Sequence, residues 1–159
     1  MIANILILLW SLFLLLLLFL MLRKLAKYSY VFQFQDFDKA DIPYIAMEVQ
    51  GIMLNFIVDT GCGVSLISKS VLDSISYEDS VRQVQLEALT PDSLHSGMVT
   101  IPITINGEQL EEDFVLYDKD DIANFQAHYG IIIHGILGNV FLDKTGCKID
   151  YKKHTVTIS

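Results

Sequence analysis

Cysteine is scarce in this sequence: only Cys62 and Cys147 occur among its 159 residues. Two cysteines are too few for a disulfide framework, and neither belongs to a C-x-x-C or His/Cys spacing that would bind zinc. The sequence therefore indicates no metal site. We expect both cysteines to be small, buried thiols.

Basic residues are also few, with 11 lysines and arginines against 19 aspartates and glutamates. Three of the basic residues, Arg23, Lys24 and Lys27, precede residue 30, whereas every acidic residue follows it. The rest of the chain thus sets eight basic against 19 acidic residues, a net charge of −11. This charge argues against a nucleic-acid partner and predicts an acidic, soluble surface that stays off anionic lipid.

Charged side chains are absent from the first 22 positions, where the run IANILILLWSLFLLLLLFLML covers residues 2–22. At about 1.5 Å per helical residue the run spans roughly 31 Å, close to the hydrocarbon thickness of a bilayer. We predict a transmembrane helix over residues 2–22. A cleaved signal peptide is the alternative, but no basic segment precedes the run and no small-x-small site follows it.

The flanking charges predict the orientation of this helix. Arg23, Lys24 and Lys27 follow it, and the positive-inside rule places that side in the cytoplasm. We therefore expect a single-pass membrane protein whose soluble domain is cytoplasmic. Residues 23–41 are predicted as a juxtamembrane tether and residues 42–159 as one domain, long enough for a single core.

Short strands dominate the predicted domain. Hairpins are predicted around Gly51-Ile52 and around Asn106-Gly107, the second being a strong turn signal. Pro102 places its strand at an edge or a bulge. Further strands are predicted over residues 131–137, 148–151 and 155–159.

Two short helices fit between these strands. The first is predicted from Lys69 to Ile75, with Ser68 as its N-cap, and the second from Val140 to Thr145. Asn139 is the predicted N-cap of the second helix, and Gly146 its C-terminal stop. The fold class is therefore mainly β, with one or two short helices.

Asp59 stands at the end of an apolar strand and is followed by Thr60 and Gly61. A carboxylate brought to such a place is costly to bury, so a chemical role is expected. The pattern suits aspartic-protease chemistry, in which an ionised carboxyl activates water and a protonated one polarises the scissile carbonyl. Gly61 would let backbone and substrate approach closely, and the Thr60 hydroxyl could bond across a two-fold axis.

Two segments together carry a family resemblance. FIVDTGCGVSLIS, followed some 70 residues later by GIIIHGILGNVFLDKTGCKIDYKKHTVTI, resembles the retropepsin-like aspartic proteases, which include the retroviral proteases. The resemblance covers residues 42–159 and implies a closed β-barrel with Asp59 catalytic and Thr60 and Gly61 shaping the active-site loop. It also implies that the hydrophobic-Gly motif Ile136-Leu137-Gly138 supports that loop and opens a short helix.

The sequence departs from the family pattern at three places. Cys62 stands where Ala or Ser is common, and His134 stands where cellular relatives often have Asp; we expect His134 to be structural. The predicted flap, Leu86 to Ile101, lacks a glycine-rich tip, so an ordinary surface hairpin explains it equally well.

The chain has a single Asp-Thr-Gly sequence, which supplies half of an aspartic-protease site. The resemblance therefore implies a homodimer, a polypeptide substrate, and neither metal nor organic cofactor. Two alternatives stay open. One is a catalytically silent binding or dimerisation module with this fold at the membrane, and the other is a structural single-pass protein in which Asp59-Thr60-Gly61 is only a turn.

Overall fold

The computed structural model describes residues 9–19, 29–36, 41–80, 97–118 and 123–159. Residues 9–19 are helical with exposed side chains. Within the described ranges, no helix has the length and hydropathy needed to cross a membrane. The predicted transmembrane helix over residues 2–22 extends beyond residues 9–19 on both sides, and stays a prediction. Residues 23–28 and 37–40 of the predicted tether lie outside the described residues.

The described fold is mainly β, with two sheets and a few short helices. The helices are α1 (residues 9–19), a 3₁₀ helix Lys69–Ser74, α2 Ala123–Tyr129 and α3 Asn139–Lys144. The strands are β1 Tyr30–Gln33, β2 Tyr44–Val49, β3 Ile52–Val58, β4 Ser65–Ser68, β5 Glu78–Asp79, β6 Met98–Ile105, β7 Glu108–Tyr117, β8 Gly135–Leu137, β9 Lys148–Asp150 and β10 Thr155–Ile158.

Both predicted hairpins are present. The β6–β7 turn is Asn106-Gly107, as predicted, with φ of 56° and 79°. The β2–β3 turn is Gln50-Gly51, one residue earlier than predicted, with φ of 52° and 84°. Two-residue turns with positive φ at both positions match the twist of the strands they connect.

The larger sheet has the strand order β2-β3-β8-β4-β7-β6-β5. The sheet is curled, which brings β2 into contact with β6. Across this contact the Gln50 side chain donates to Pro102 O at 3.4 Å and to Ser76 O at 2.8 Å. No ladder joins β2 to β6 among the described strands, so the observed form is a curled sheet rather than the closed barrel expected. Pro102 lies on β6 beyond the end of β5, in agreement with its predicted edge position.

The concave side of the curled sheet holds the core. Side chains alternate between buried and partly exposed along β3 and β6, as expected for strands with one face inward. Phe56, Phe114 and Phe141 are completely buried and bring β3, β7 and α3 into one cluster. Most of the buried side chains thus belong to one cluster, and Tyr44, Ile131 and Ile133 form a second, smaller one.

The first strand lies inside the segment that was predicted as a tether. β1 pairs with β10 in a three-stranded sheet of order β1-β10-β9, and Phe32 and Phe34 are buried in the core. The described fold therefore begins at Tyr30 rather than at residue 42. The sequence did not reveal this strand because it has only one buried position, Phe32, and one position is too few for an alternating pattern to be recognised.

The helices near the site follow the predictions with one correction. Ser68 caps the 3₁₀ helix, accepting a hydrogen bond from Ser70 N. The N-cap of α3 is Gly138 and not Asn139, whose side chain bonds elsewhere. Gly146 ends α3 with φ of 55°, and the bonds Gly146 N to Asp143 O and Cys147 N to Leu142 O form a Schellman motif.

Two further elements differ from expectation. The strand predicted over residues 131–137 is limited to β8, although Ile131 and Ile133 are buried. Helix α2 was not predicted. The predicted pair of strands at the C-terminus is present as β9 and β10. Of the predicted flap, residues 86–96 lie outside the described residues, and Met98 to Ile101 belong to β6.

Candidate active site

The Asp-Thr-Gly motif and the Ile136-Leu137-Gly138 motif meet where neighbouring inner strands of the curled sheet end. β3 delivers Asp59 and runs parallel to β8, with Val58 opposite Leu137. β4, which follows the Asp-Thr-Gly loop, runs antiparallel to β8 on its other side. The loop after β3 and the Gly138 end of β8 are therefore adjacent, and Asp59 N donates to Leu137 O at 3.1 Å.

The loop itself holds the carboxylate of Asp59. Gly61 N donates to Asp59 Oδ1 at 2.8 Å, and Cys62 N donates to Asp59 O at 3.3 Å. A Cβ atom on residue 61 would lie 3.1 Å from Oδ1, so a larger residue would crowd this bond. Asp59 is half-buried, whereas Thr60 and Gly61 are exposed. The loop thus presents one oriented carboxylate at the surface.

Helix α3 holds the other side of the loop through Asn139. Its side-chain Nδ2 donates to Thr60 O at 2.7 Å, and its backbone N donates to Cys62 O at 2.7 Å. Sequence reasoning placed Asn139 as a helix cap and missed this role. The position of an amide side chain directly after the hydrophobic-Gly motif was the available signal.

Gly138 is the point of closest approach between the two motifs. A Cβ atom here would lie 2.3 Å from Val64 O and 2.9 Å from Cys62 O, distances that real Cβ atoms do not show. Only glycine lets β8 and the loop come this close. Leu137 and Gly138 thus lie against the Asp59 loop, and Ile136 pairs with Ile57 in β3, just before it.

A buried polar group lies behind this contact. Ser65 Oγ accepts from Gly138 N at 3.2 Å and donates to Glu112 Oε1 at 2.9 Å. Lys144 Nζ lies 3.5 Å from Glu112 Oε2. Burial raises the pKa of Glu112, while the Ser65 hydrogen bond and the Lys144 charge oppose this change. Sequence reasoning missed Glu112, although it shares the inward phase of β7 with the buried Phe114.

Cys62 follows the Asp-Thr-Gly loop and is partly exposed rather than buried. Its Sγ donates to Val64 O at 3.0 Å. Burial is the main cause that raises the pKa of this thiol; the bond to Val64 opposes the rise, and the Asp59 charge adds to it. These effects favour the protonated thiol over the thiolate at this position.

His134 has a structural role, as expected. Its Nδ1 accepts from Asn55 N at 2.9 Å, and its backbone N donates to Asn55 O at 2.8 Å. On the other side, Ser68 N donates to His134 O at 2.9 Å. The residue thereby links β3 to β4 at the start of β8. Burial lowers its pKa, in keeping with a neutral ring whose Nδ1 is an acceptor.

The close contact at Gly138 gives a direct test. We expect Gly138→Ala to lower the free energy of unfolding by about 1–3 kcal/mol, because the added methyl group overlaps Val64 O. Gly63→Ala is the matched control, since nothing lies within 4 Å of a Cβ atom there. Urea denaturation measures both. Equal stability of the two variants would contradict the proposed contact.

The lowered pKa of His134 predicts acid sensitivity. The unfolded chain protonates this ring near its ordinary pKa of about 6.5, while the folded protein keeps it neutral to lower pH. The unfolded state thus binds more protons below that pH, and the free energy of unfolding decreases as the pH falls. His134→Asn keeps an acceptor and cannot be protonated, so it should show less loss of stability between pH 7.5 and 5.5.

Urea midpoints at the two pH values measure this difference, with His128→Asn on α2 as the control. The same acid-induced loss in wild type and His134→Asn would show that another group causes it.

The comparisons bear on the fold. No family model matches the chain, and no curated protein matches its sequence. A retropepsin-like aspartic protease from Rickettsia conorii is similar in structure, with a TM-score of 0.50 and 18% identity over 82% of this chain and 89% of that chain.

Two other solved structures are also similar. The retroviral protease-like domain of Ddi1 from Leishmania major has a TM-score of 0.49 and 15% identity over 74% of this chain and 86% of that chain. EIAV protease in complex with the inhibitor HBY-793 has a TM-score of 0.47 and 15% identity over 69% of this chain and 92% of that chain. The likeness to the Rickettsia structure shows that this chain has a retropepsin-like fold.

Proposed function

We propose that this protein is an aspartic endopeptidase that hydrolyses peptide bonds as a homodimer. The observation that carries the proposal is the placement of Asp59 at the end of β3. Its amide is bonded to Leu137 O, and its carboxylate accepts the Gly61 N–H. An exposed loop that orients a carboxylate in a retropepsin-like fold is what this chemistry requires.

In the proposed mechanism, Asp59 of each subunit contributes to a carboxyl pair that shares one proton. The ionised carboxyl removes a proton from a water molecule whose oxygen bonds to the scissile carbonyl carbon, while the protonated carboxyl donates to the carbonyl oxygen. The carboxyl that took the proton of water then passes it to the amide nitrogen as the C–N bond breaks, and the other carboxyl recovers its proton as the new carboxylic acid forms. The pair titrates as one unit, with apparent pKa values that belong to both groups. The two carboxyl groups also hold the tetrahedral intermediate, so the step needs no other protein group.

The proposal of a homodimer rests on the number of Asp-Thr-Gly loops in one chain. The Asp-Thr-Gly loop occurs once, and Thr60 and Gly61 are exposed beside the carboxylate. In a symmetric dimer the loops of the two subunits meet at the two-fold axis, so the second subunit supplies the second carboxylate. The polypeptide substrate would lie extended between the subunits and pair its backbone as an added strand.

We also propose that residues 2–22 anchor the protein in a membrane, with the catalytic domain on the cytoplasmic side. The apolar composition and the basic residues Arg23, Lys24 and Lys27 support this proposal. β1 begins at Tyr30, so residues 23–29 connect the proposed anchor to the fold. At about 3.3–3.6 Å per extended residue this connection reaches roughly 25 Å. Substrates would then be membrane proteins or their juxtamembrane segments.

Replacing the proposed catalytic carboxyl tests the function. Asn is close to Asp in shape but neither takes nor shares the proton, so Asp59→Asn should keep the fold and lose essentially all cleavage of labelled, unfolded casein. Mixed dimers should also be inactive, and excess variant should inhibit wild type in a dose-dependent way. Hydrolysis at a comparable rate by the purified variant would refute the assignment and favour the silent binding module.

The dimer is tested by dilution. A chain that begins at Ser29 retains β1 but lacks the proposed anchor, so two copies pair only through their domains. Its specific activity should rise with protein concentration and reach a plateau, whereas the full-length chain in vesicles should stay active at lower concentration because the membrane keeps copies together. A flat activity curve, with monomer throughout in sedimentation, would defeat the dimer proposal.

A further inference from the structure

Glu112 is a buried carboxylate that the proposed chemistry does not use. It lies on β7 with 2% of its surface exposed, and Ser65, its partner, is completely buried. A buried charge is costly unless it is paired and hydrogen-bonded, and this one has both kinds of partner. Through Ser65, the Glu112 carboxylate is therefore connected to the backbone at Gly138, behind the active-site loop.

The connection runs through a single peptide group. The Leu137–Gly138 peptide donates its N–H to Ser65 Oγ at 3.2 Å and accepts, at its C=O, the N–H of Asp59 at 3.1 Å. Because a peptide group is planar and rigid, its two bonds are oriented together. A shift at Ser65 is therefore passed to the backbone of Asp59.

Glu112 determines how the Ser65 hydroxyl is oriented. An ionised carboxylate only accepts hydrogen bonds, so Ser65 must donate its single proton to Glu112 Oε1. The lone pairs of Ser65 Oγ are then available to the Gly138 N–H. Without the carboxylate, the hydroxyl would rotate towards another acceptor and turn its lone pairs away from Gly138.

Lys144 and α3 support the same arrangement from the other side. Lys144, at the end of α3, lies 3.5 Å from Glu112 Oε2 and also donates to Glu111 O. Asn139, at the start of the same helix, donates to Thr60 O at 2.7 Å. Helix α3 is thus attached to the catalytic loop at one end and to Glu112 at the other.

We propose that Glu112 is a positioning residue for Asp59, acting through Ser65 and the Leu137–Gly138 peptide, with Lys144 as its counter-charge. This rests on the proposed function, since it assigns Glu112 to the orientation of the same carboxylate. Burial raises the pKa of Glu112, and the Ser65 hydrogen bond and the Lys144 charge oppose that rise, so these two partners favour the ionised form to which Ser65 donates.

Two substitutions at Glu112 separate its charge from its capacity as an acceptor. Glu112→Gln keeps an oxygen that Ser65 can bond to, and Glu112→Met removes the acceptor at similar length. Glu111→Gln and Glu111→Met are matched controls, because Glu111 is the exposed neighbour on the same strand. The full-length chain in detergent micelles is used for all of them. The first measurement is the amide hydrogen exchange of Asp59 and Gly138, with Phe114 as a reference amide in β7.

Exchange at Asp59 and Gly138 should accelerate about tenfold in Glu112→Met and by less in Glu112→Gln. It should stay unchanged at Phe114 and in both Glu111 variants. Cleavage of labelled, unfolded casein should follow the same order. We expect kcat to fall between about tenfold and about a hundredfold in Glu112→Met, with KM unchanged and partial recovery in Glu112→Gln.

Wild-type exchange at Asp59 and Gly138 in folded Glu112→Met would overturn the proposal, whatever the activity. If that variant does not fold, wild-type exchange in both Glu112→Gln and Lys144→Met would overturn it equally. Wild-type kcat in Glu112→Met, beside an inactive Asp59→Asn, would overturn the catalytic part alone. If wild type shows no cleavage that depends on Asp59, the proposed function fails. The hydrogen-exchange result then still decides whether Glu112 orients the loop.

Discussion

The hydrogen bond from Asp59 N to Leu137 O is the interaction on which the candidate site depends. It joins segments almost 80 residues apart in sequence, the end of β3 and the end of β8. The parallel pairing of these strands brings them together, and glycine at position 138 removes the side chain that would keep them apart. Thr60 and Cys62 are then held by Asn139, so the chain on the C-terminal side of Asp59 is tied to α3 at two points.

Whether a feature of the fold or the site could be predicted depends on how far apart in sequence the interacting residues lie. The Asn106-Gly107 turn, the Ser68 cap and the Gly146 stop each depend on a few neighbouring residues, and the sequence was sufficient for them. The pairing of the Asp59 loop with Ile136-Leu137-Gly138 required the family resemblance, since no local pattern indicates which strands lie side by side. The sequence alone could not assign a role to Glu112, because its partners come from β4 and α3.

The misplaced elements have the same explanation. β1 is four residues long, and its burial depends on β10, which lies at the other end of the chain. Ile131 and Ile133 are buried as the residues of a strand would be, but their segment leads into β8 without pairing as part of it. Asn139 has the chemistry of an N-cap, yet Gly138 occupies the cap position and the Asn139 side chain is turned to the neighbouring loop, where its Nδ2 donates to Thr60 O. In each case a contact distant in sequence overrode a local preference.

The pairing of β1 with β10 has a mechanical consequence. Tyr30 lies opposite Ile158, so the strand through which the chain enters the fold is held by the strand through which it leaves. A pull on the segment before Tyr30 would load this ladder at its end, where antiparallel bonds separate one pair at a time rather than all together. Phe32 and Phe34, buried behind the ladder, would resist the separation after the first pairs had opened. Tension on the N-terminal segment would thus be absorbed in β1 before it reached β3 and the Asp59 loop.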